Sequence, residues 1–270
     1  MINFSVLIPV YDGERSEHFS RALASIVEQT LVPTEVVLVK DGPLRGELEK
    51  VITCYISRYS FFKIVALQRH MGLGEALRRG LEACSFDIVV RMDSDDISFS
   101  NRFEVQVPYL YANKNIAVLG ANIEEFNRVP GDTGRIKKVP TSPDKIRAYS
   151  KFRCPVNHPT AAFRKSAIIG VGSYKEMLLF EDYYLWMRLL RKGYVIENLP
   201  VSLLYFRMTK ETMKRRQGFG YFRKEMVFFN TLKNEKLISS FQYLTLISTR
   251  LPVRLLPNRL CLFVYNQLLR

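Results

Sequence analysis

Short apolar runs alternate with amphipathic segments through the first 120 residues, and this alternation restricts the chain to few folds. Between the runs, apolar residues recur at helical spacing over residues 20–30, 44–57, 73–84 and 101–113. The runs themselves are rich in β-branched residues and predict strands at residues 4–10, 35–39, 63–67, 87–92 and 116–120. Strands that alternate with helices of this length form βαβ units. The pattern predicts an α/β fold with a mostly parallel central sheet flanked by helices.

The rest of the chain is less regular and predicts two further parts. A helix is predicted at residues 180–192, because apolar residues lie on one face and Gly193 provides a stop. A strand follows at 195–199 or at 201–206, and the chain from Thr209 onward is predicted to be helical and basic. We therefore divide the chain into a βαβ half at 1–120, a second half of the same domain at 121–206, and a basic tail at 207–270.

Three carboxylates, Asp93, Asp95 and Asp96, directly follow the predicted strand at residues 87–92. Neighbouring carboxylates repel one another and raise each other's pKa values, and a bound cation reverses this penalty. Oxygen ligands suit Mg²⁺ or Mn²⁺, and open α/β sheets bind ligands beyond the carboxyl ends of their strands. The cluster indicates a metal site, and a solvated acidic turn or a helix N-terminus is the alternative.

Three more candidate groups lie at the ends of predicted elements. One ends the first strand, one is an acid that ends the second strand, and one is an acid pair that opens the 180–192 helix. Each also has a structural explanation: a simple strand end, a turn-forming residue before glycine, or charges that complement a helix dipole. These positions are Pro9, Val10, Tyr11, Asp41, Glu181 and Asp182.

The net charge of +14 is concentrated near the C-terminus. Residues 206–270 hold 13 Lys and Arg against three Glu, mixed with Phe, Tyr and Leu. Such a segment favours a polyanionic partner, either nucleic acid or an anionic membrane surface, and a solvated basic face is the alternative. An acidic cluster at the sheet edge argues against nucleic acid, because it repels phosphates unless a metal is bound. The uncharged stretch at 237–249 is too short and too polar to span a bilayer.

Taken together, five motifs resemble glycosyltransferase family 2, the inverting nucleotide-sugar transferases with a GT-A fold. The resemblance covers roughly residues 4–206. It implies a Rossmann-like sheet. The half at residues 1–120 would bind the nucleotide sugar, and the half at residues 121–206 would hold the acceptor and the catalytic residue. The motifs are Val39-Lys40-Asp41-Gly42-Pro43, Gly72-Leu73-Gly74-Glu75-Ala76-Leu77, Arg91-Met92-Asp93-Ser94-Asp95-Asp96-Ile97, Asn157-His158-Pro159-Thr160 and Glu181-Asp182-Tyr183-Tyr184-Leu185-Trp186.

On the donor side, the resemblance implies a role for each matched position. Asp41 would accept the imide hydrogen of uracil. Asp93 would face the ribose and the sugar phosphate, with Ser94 beside it, and Asp95 would bind Mn²⁺ or Mg²⁺. The nucleotide would be held by Pro9, Val10 and Tyr11.

On the acceptor side, the resemblance implies that Asp182 is the general base and that Glu181 shapes its surroundings. His158 would contact the acceptor or its diphosphate, although a purely structural role is also open. Trp186 is expected in the core, because it has helical spacing with Leu190. Arg215 and Arg216, in the tail, would clamp a diphosphate.

Within the family, the chain resembles bacterial enzymes of O-antigen and exopolysaccharide assembly that add a sugar to GlcNAc-diphosphate-polyprenol. This implies transfer of a hexose from a UDP-sugar, with β-linked galactose favoured and UDP-glucose as the alternative donor. It also implies a peripheral protein at the cytoplasmic face of the inner membrane, bound to its anionic surface and not to nucleic acid. The alternatives from other classes are a basic nucleic-acid-binding α/β protein, and a nucleotidyltransferase or a nucleotide-binding module without transfer activity.

Overall fold

The computed structural model describes residues 2–208 and 218–255. Its first four strands are β1 (Ser5–Val10), β2 (Glu35–Lys40), β3 (Phe62–Ala66) and β4 (Ile88–Arg91). They form the predicted parallel sheet, in the order β3-β2-β1-β4. The helices between them are α1 (Ser16–Val27), α2 (Gly46–Arg58) and α3 (Leu73–Ala83). The predicted segments therefore form, with ends that differ by at most four residues.

Residues 97–207 add strands of both directions. The elements are β5 (Ile97–Ser98), α4 (Arg102–Ala112), β6 (Ile116–Phe126), β7 (Arg135–Lys137), α5 (Pro143–Tyr149), a 3₁₀ turn (His158–Thr160), β8 (Ala162–Arg164), α6 (Lys165–Gly170), α7 (Glu181–Arg191) and β9 (Val195–Arg207). The two alternatives for the last strand are both correct in part, because β9 is one long strand that includes them.

The sheet as a whole is mixed. Strand β8 lies between β4 and β6 and is antiparallel to both. Strand β7 pairs antiparallel with β6, and β5 pairs antiparallel with β9. Strand β9 returns parallel to β6. The α/β class is confirmed, and the expectation of a mostly parallel sheet holds for the first half, where helices connect successive strands.

Both faces of the sheet are covered, which explains the continuous apolar runs. Along β1, Val6 and Ile8 pack on one side against residues of α1, α2 and α4. Leu7 points to the other side, where α3, α5 and α7 lie. Because successive side chains of a strand point to opposite faces, this one apolar run contributes to the core on each side of the sheet.

The described part of the predicted tail is a helical hairpin that packs on α7. It consists of α8 (Gly218–Asn234) and α9 (Ser240–Leu255). The Phe228 ring of α8 stacks on Phe180 at 4.8 Å, and Tyr184 of α7 donates a hydrogen bond to Glu235. Buried residues of all three helices form a third apolar cluster. Across residues 2–208 and 218–255, every helix is too short or too polar to cross a membrane.

Candidate active site

The carboxyl ends of β1, β2 and β4 lie at one edge of the sheet, and candidate residues follow each of them. Pro9 and Val10 are buried within β1, where the Val10 carbonyl accepts the Asp41 N–H at 2.8 Å. Tyr11, the next residue, is 38% exposed. Its ring lies 5.9 Å from the His70 ring, measured between centroids. The end of β1 therefore presents an aromatic residue beside the loop that precedes α3.

Asp41, at the end of β2, fixes that loop. Its carboxylate accepts the N–H groups of Met71 at 2.6 Å and Gly72 at 3.0 Å, and it lies 2.8 Å from His70 Nδ1. Gly42 has a φ of +91°, and a Cβ there would lie 2.6 Å from the backbone nitrogen of His70. The Met71 and Gly72 N–H groups occupy two of the four lone-pair positions of the carboxylate, which leaves positions for His70 and for a ligand. Asp41 is thus more than a turn-forming residue.

The three acids after β4 form a compact cluster, with ligand atoms within 4.8 Å of one another. The pKa of Asp95 is raised to about 7 by burial and then by the charges of Asp93 and Glu14. Burial also raises the pKa of Asp96 far above its usual range. Among the described residues, Asp96 Oδ1 accepts the Arg207 N–H at 2.8 Å, while its Oδ2 has no partner. This oxygen-only set, with an orphaned buried oxygen, fits a divalent cation such as Mg²⁺ or Mn²⁺.

Arg91, which the sequence interpretation did not single out, is a buried cation of this site. It is 1% exposed and binds Asp93 with two hydrogen bonds, one of them 2.6 Å between Nη1 and Oδ2. Its charge also lowers the pKa values of Glu181 and Asp182. A signal was present in the sequence, because a guanidinium in an apolar strand requires an anionic partner.

Glu14 and Arg207 complete the surroundings of the cluster, and the sequence interpretation gave neither of them a role there. The Ser94 hydroxyl donates to Glu14 Oε2 at 3.0 Å, and both residues are buried. Arg207 Nε donates to the Asp95 carbonyl at 2.9 Å. These contacts join residues 80 and 112 positions apart in the chain. Local sequence patterns carry no signal for them.

The second pair of acids, Glu181 and Asp182, opens α7 as predicted. Burial is the main cause that raises the pKa of both, to about 7 for Glu181, where the Asp182 charge adds to the effect. The Cys154 thiol donates to Asp182 Oδ2 at 3.5 Å. A Cβ on Gly74, in the first turn of α3, would lie 3.1 Å from Glu181 Cγ. The helix that follows the Asp41-bound loop therefore packs directly against the acid pair.

His158 lies inside the domain. It is 8% exposed, its Nε2 is 3.0 Å from the Tyr174 hydroxyl, and its ring meets Trp186 edge to face at 5.9 Å. Burial, followed by the Arg91 charge, holds the pKa of His158 far below its usual range. Trp186 is fully buried, which confirms its expected place in the core. The predicted diphosphate ligands, Arg215 and Arg216, lie outside the described residues.

Comparison with known proteins gives the family. The family model described as "Glycosyl transferase family 2" matches residues 5–171. A UDP-Gal:alpha-D-GlcNAc-diphosphoundecaprenol beta-1,3-galactosyltransferase of Escherichia coli is 40% identical over 99% of this chain and 96% of the relative. The amylovoran biosynthesis glycosyltransferase AmsE of Erwinia amylovora is 35% identical over 98% of each. The chain belongs to glycosyltransferase family 2.

Solved structures agree with the fold. The crystal structure of S. aureus TarS 1-349 has a TM-score of 0.59 and 20% identity, and the match covers 76% of this chain and 60% of that one. The same fragment in complex with UDP has a TM-score of 0.60 and 20% identity, over 86% of this chain and 66% of that one. This chain thus spans less than two thirds of the TarS fragment, and the likeness supports the predicted GT-A fold.

The raised pKa of Glu181 predicts that ionisation of this residue destabilises the folded protein. The pKa is about 7 in the folded state, against 4.5 for a free side chain. The free energy of unfolding should therefore fall as the pH rises between these two values. Glu181→Gln removes the ionisable group, so the variant should be more stable than the wild type at pH 8, by on the order of 1–3 kcal/mol. The difference should shrink greatly at pH 5. Thermal denaturation at the two pH values measures it.

The matched control for this variant is Glu28→Gln, which neutralises an exposed acid. Its melting temperature should follow that of the wild type at both pH values. A Glu181→Gln protein that is less stable than the wild type at pH 8 would show that the ionised carboxylate is well accommodated.

Proposed function

We propose that the chain transfers a hexose from a UDP-sugar to a GlcNAc-diphosphate-polyprenol acceptor, with inversion at the anomeric carbon. The observation that carries this proposal is that the acidic cluster Asp93, Asp95 and Asp96, which fits a divalent cation, lies near the acid pair Glu181 and Asp182, since the charge of Arg91 acts on both groups. Transfer from a nucleoside diphosphate sugar needs a positive charge that stabilises the leaving diphosphate. It also needs a base that accepts the proton of the incoming hydroxyl. The Escherichia coli relative, which by its name uses UDP-Gal and GlcNAc-diphosphoundecaprenol, favours galactose and a β-linkage, with glucose as the alternative.

The donor side is proposed to hold the nucleotide beside Tyr11 and the Asp41-bound loop. The remaining lone pair of Asp41 suits the uracil imide hydrogen. Asp93 is proposed to face the ribose and sugar phosphate, although it already binds Arg91. Asp95 would hold Mn²⁺ or Mg²⁺, whose charge, when bound, offsets that of the departing diphosphate.

The acceptor side is proposed to use Asp182 as the general base. The acceptor oxygen forms a bond to the anomeric carbon while the bond to UDP breaks, and the hydroxyl proton passes to the Asp182 carboxylate. The oxygen attacks on the side opposite UDP, which leaves with the electron pair of the broken bond, so an α-linked donor yields a β-linked product. Arg91 and Lys137 lower the pKa of Asp182, which keeps it able to accept a proton despite its burial. A base of this kind contributes roughly 10²–10⁴-fold.

The direct test is a donor screen with a synthetic GlcNAc-diphosphate-lipid acceptor, followed by NMR of the product. A β-galactoside is expected with UDP-galactose. Transfer from UDP-glucose at a higher kcat/KM would assign the alternative donor, and the absence of transfer from every UDP-sugar would contradict the proposal.

A first prediction concerns the metal. Asp95→Ala removes a ligand, so it should abolish transfer and most of the Mn²⁺-dependent UDP affinity. Isothermal titration with UDP, in Mn²⁺ and in excess chelator, measures the affinity directly. The exposed Asp144→Ala is the control and should bind as the wild type does. Full activity of Asp95→Ala would contradict the assignment.

A second prediction separates catalysis from binding at Asp182. Asp182→Asn keeps the shape of the side chain but cannot take the proton, so kcat should fall roughly 10²-fold or more. The Kd of UDP should change little, because the group acts on the acceptor. A variant that loses UDP affinity and keeps its kcat would show that the roles are assigned wrongly.

The C-terminal part is proposed to hold the enzyme at the anionic cytoplasmic surface of the inner membrane, where a lipid-linked acceptor resides. Support comes from the outer face of the α8–α9 hairpin, which leaves large apolar side chains exposed beside basic ones. Arg223 and Lys224 are exposed on α8. Arg215 and Arg216, just before α8, are proposed to bind the acceptor diphosphate. The exposed apolar residues are Phe219, Val227, Phe241 and Leu244.

A third prediction tests this surface. Combining Arg223→Gln with Lys224→Gln removes two surface cations, each worth about 1 kcal/mol near an anionic leaflet. Partition onto vesicles rich in phosphatidylglycerol should fall roughly tenfold or more, and the effect should fade at high salt. Lys50→Gln with Lys114→Gln, two exposed lysines elsewhere, should partition like the wild type. Equal losses in both pairs would indicate a nonspecific charge effect.

A further inference from the structure

The turn before Glu181 and Asp182 has two features that are unfavourable for folding: strained backbone and exposed apolar side chains. Leu179 has a φ of +72°, a left-handed conformation that costs a bulky residue free energy. It is also 42% exposed, and its neighbour Leu178 is 60% exposed. Two large apolar side chains thus face solvent, one of them on strained backbone. Strain of this kind concentrates at functional sites.

The turn is closed and held at both ends. The Phe180 N–H donates to the Met177 carbonyl at 2.7 Å, so Leu178 and Leu179 are its two central residues. A positive φ at the third position of such a turn is usual for glycine or asparagine. Phe180 stacks on Phe228, and Met177 packs against the same cluster. The two leucines therefore form the tip of a well-anchored turn.

The tip belongs to the rim of the active site. The backbone of Leu179 hydrogen-bonds the Glu181 carboxylate and lowers its pKa, and Asp182 follows directly. Lys175 is exposed in the same loop, next to the equally exposed Glu176, and the charge of Lys137 lowers the pKa of Asp182. An apolar tip with lysines nearby matches a ligand that carries an anionic group next to an apolar chain.

We infer that Leu178 and Leu179 bind the first isoprene units of the acceptor lipid, next to its diphosphate. The inference rests on the proposed function, because it assigns a place to the lipid part of the proposed acceptor. With the acceptor sugar at Asp182, the diphosphate lies near the lysines and the chain leaves over the turn. Burial of the two side chains against the chain then offsets their exposure in the free protein.

The test compares two acceptors with the same GlcNAc-diphosphate head, one ending in a methyl group and one in a two-isoprene citronellyl chain. The variant combines Leu178→Ser with Leu179→Gly. It should raise KM for the citronellyl acceptor roughly tenfold, which is the size expected for loss of part of two leucine contacts. Its KM for the methyl acceptor, and its kcat with both, should match the wild type.

Two controls distinguish this result from a folding defect. Glycine accepts the positive φ at position 179, so the melting temperature of the variant should equal or exceed that of the wild type. Val32→Ser with Ile56→Ser removes two exposed apolar side chains elsewhere, and it should leave both KM values unchanged.

Three results would overturn the inference. Equal changes with both acceptors would mean that the turn acts through the base, and unchanged values with both would mean that the lipid leaves elsewhere. Loss of vesicle binding with an unchanged citronellyl KM would assign the leucines to the bilayer. By contrast, a wild type that transfers to neither acceptor would contradict the proposed function itself.

Discussion

The buried guanidinium of Arg91 holds the acidic site together. It binds Asp93 directly, and its charge lowers the pKa values of Asp96, Glu181 and Asp182. A buried ion pair gains little for stability by itself, but removal of one partner leaves an uncompensated charge. Without Arg91, Asp93 would lose its ion-pair partner, and Glu181 and Asp182 would lose a nearby positive charge. Strand β4 ends with this cation, and the acids of the cluster follow it directly in the chain.

The fold and the site differ in how much of them the sequence could predict. The parallel half was predictable, because buried parallel strands are continuous apolar runs and helices separate them. Strand β8 (Ala162–Arg164) was missed, because three residues are too few to show an alternation of apolar and polar side chains. Its position between β4 and β6 makes the sheet mixed. The acids themselves were predictable because strand ends share one edge, whereas Glu14 and Arg207 reach them only through the tertiary fold.

The C-terminal segment was predicted as a tail, and its described part is also a structural layer. Helix α8 stacks Phe228 on Phe180, two residues before Asp182, and α9 reaches the loop that holds Cys154, through Arg250 and the Phe152 carbonyl at 3.0 Å. The amphipathic pattern predicted helices but could not say which face is covered. As a result, the hairpin proposed to meet the membrane also supports the acid that is proposed to act as the base.

The close approach of Gly74 to Glu181 has a consequence for how such an enzyme diversifies. Asp41 fixes the loop before α3, and α3 then meets α7 with a separation of 3.1 Å from a Cβ at position 74. Any side chain at position 74 would therefore press on the side chain of Glu181. A change of sugar specificity that places a larger residue at position 74 would have to move the Glu181 carboxyl group at the same time.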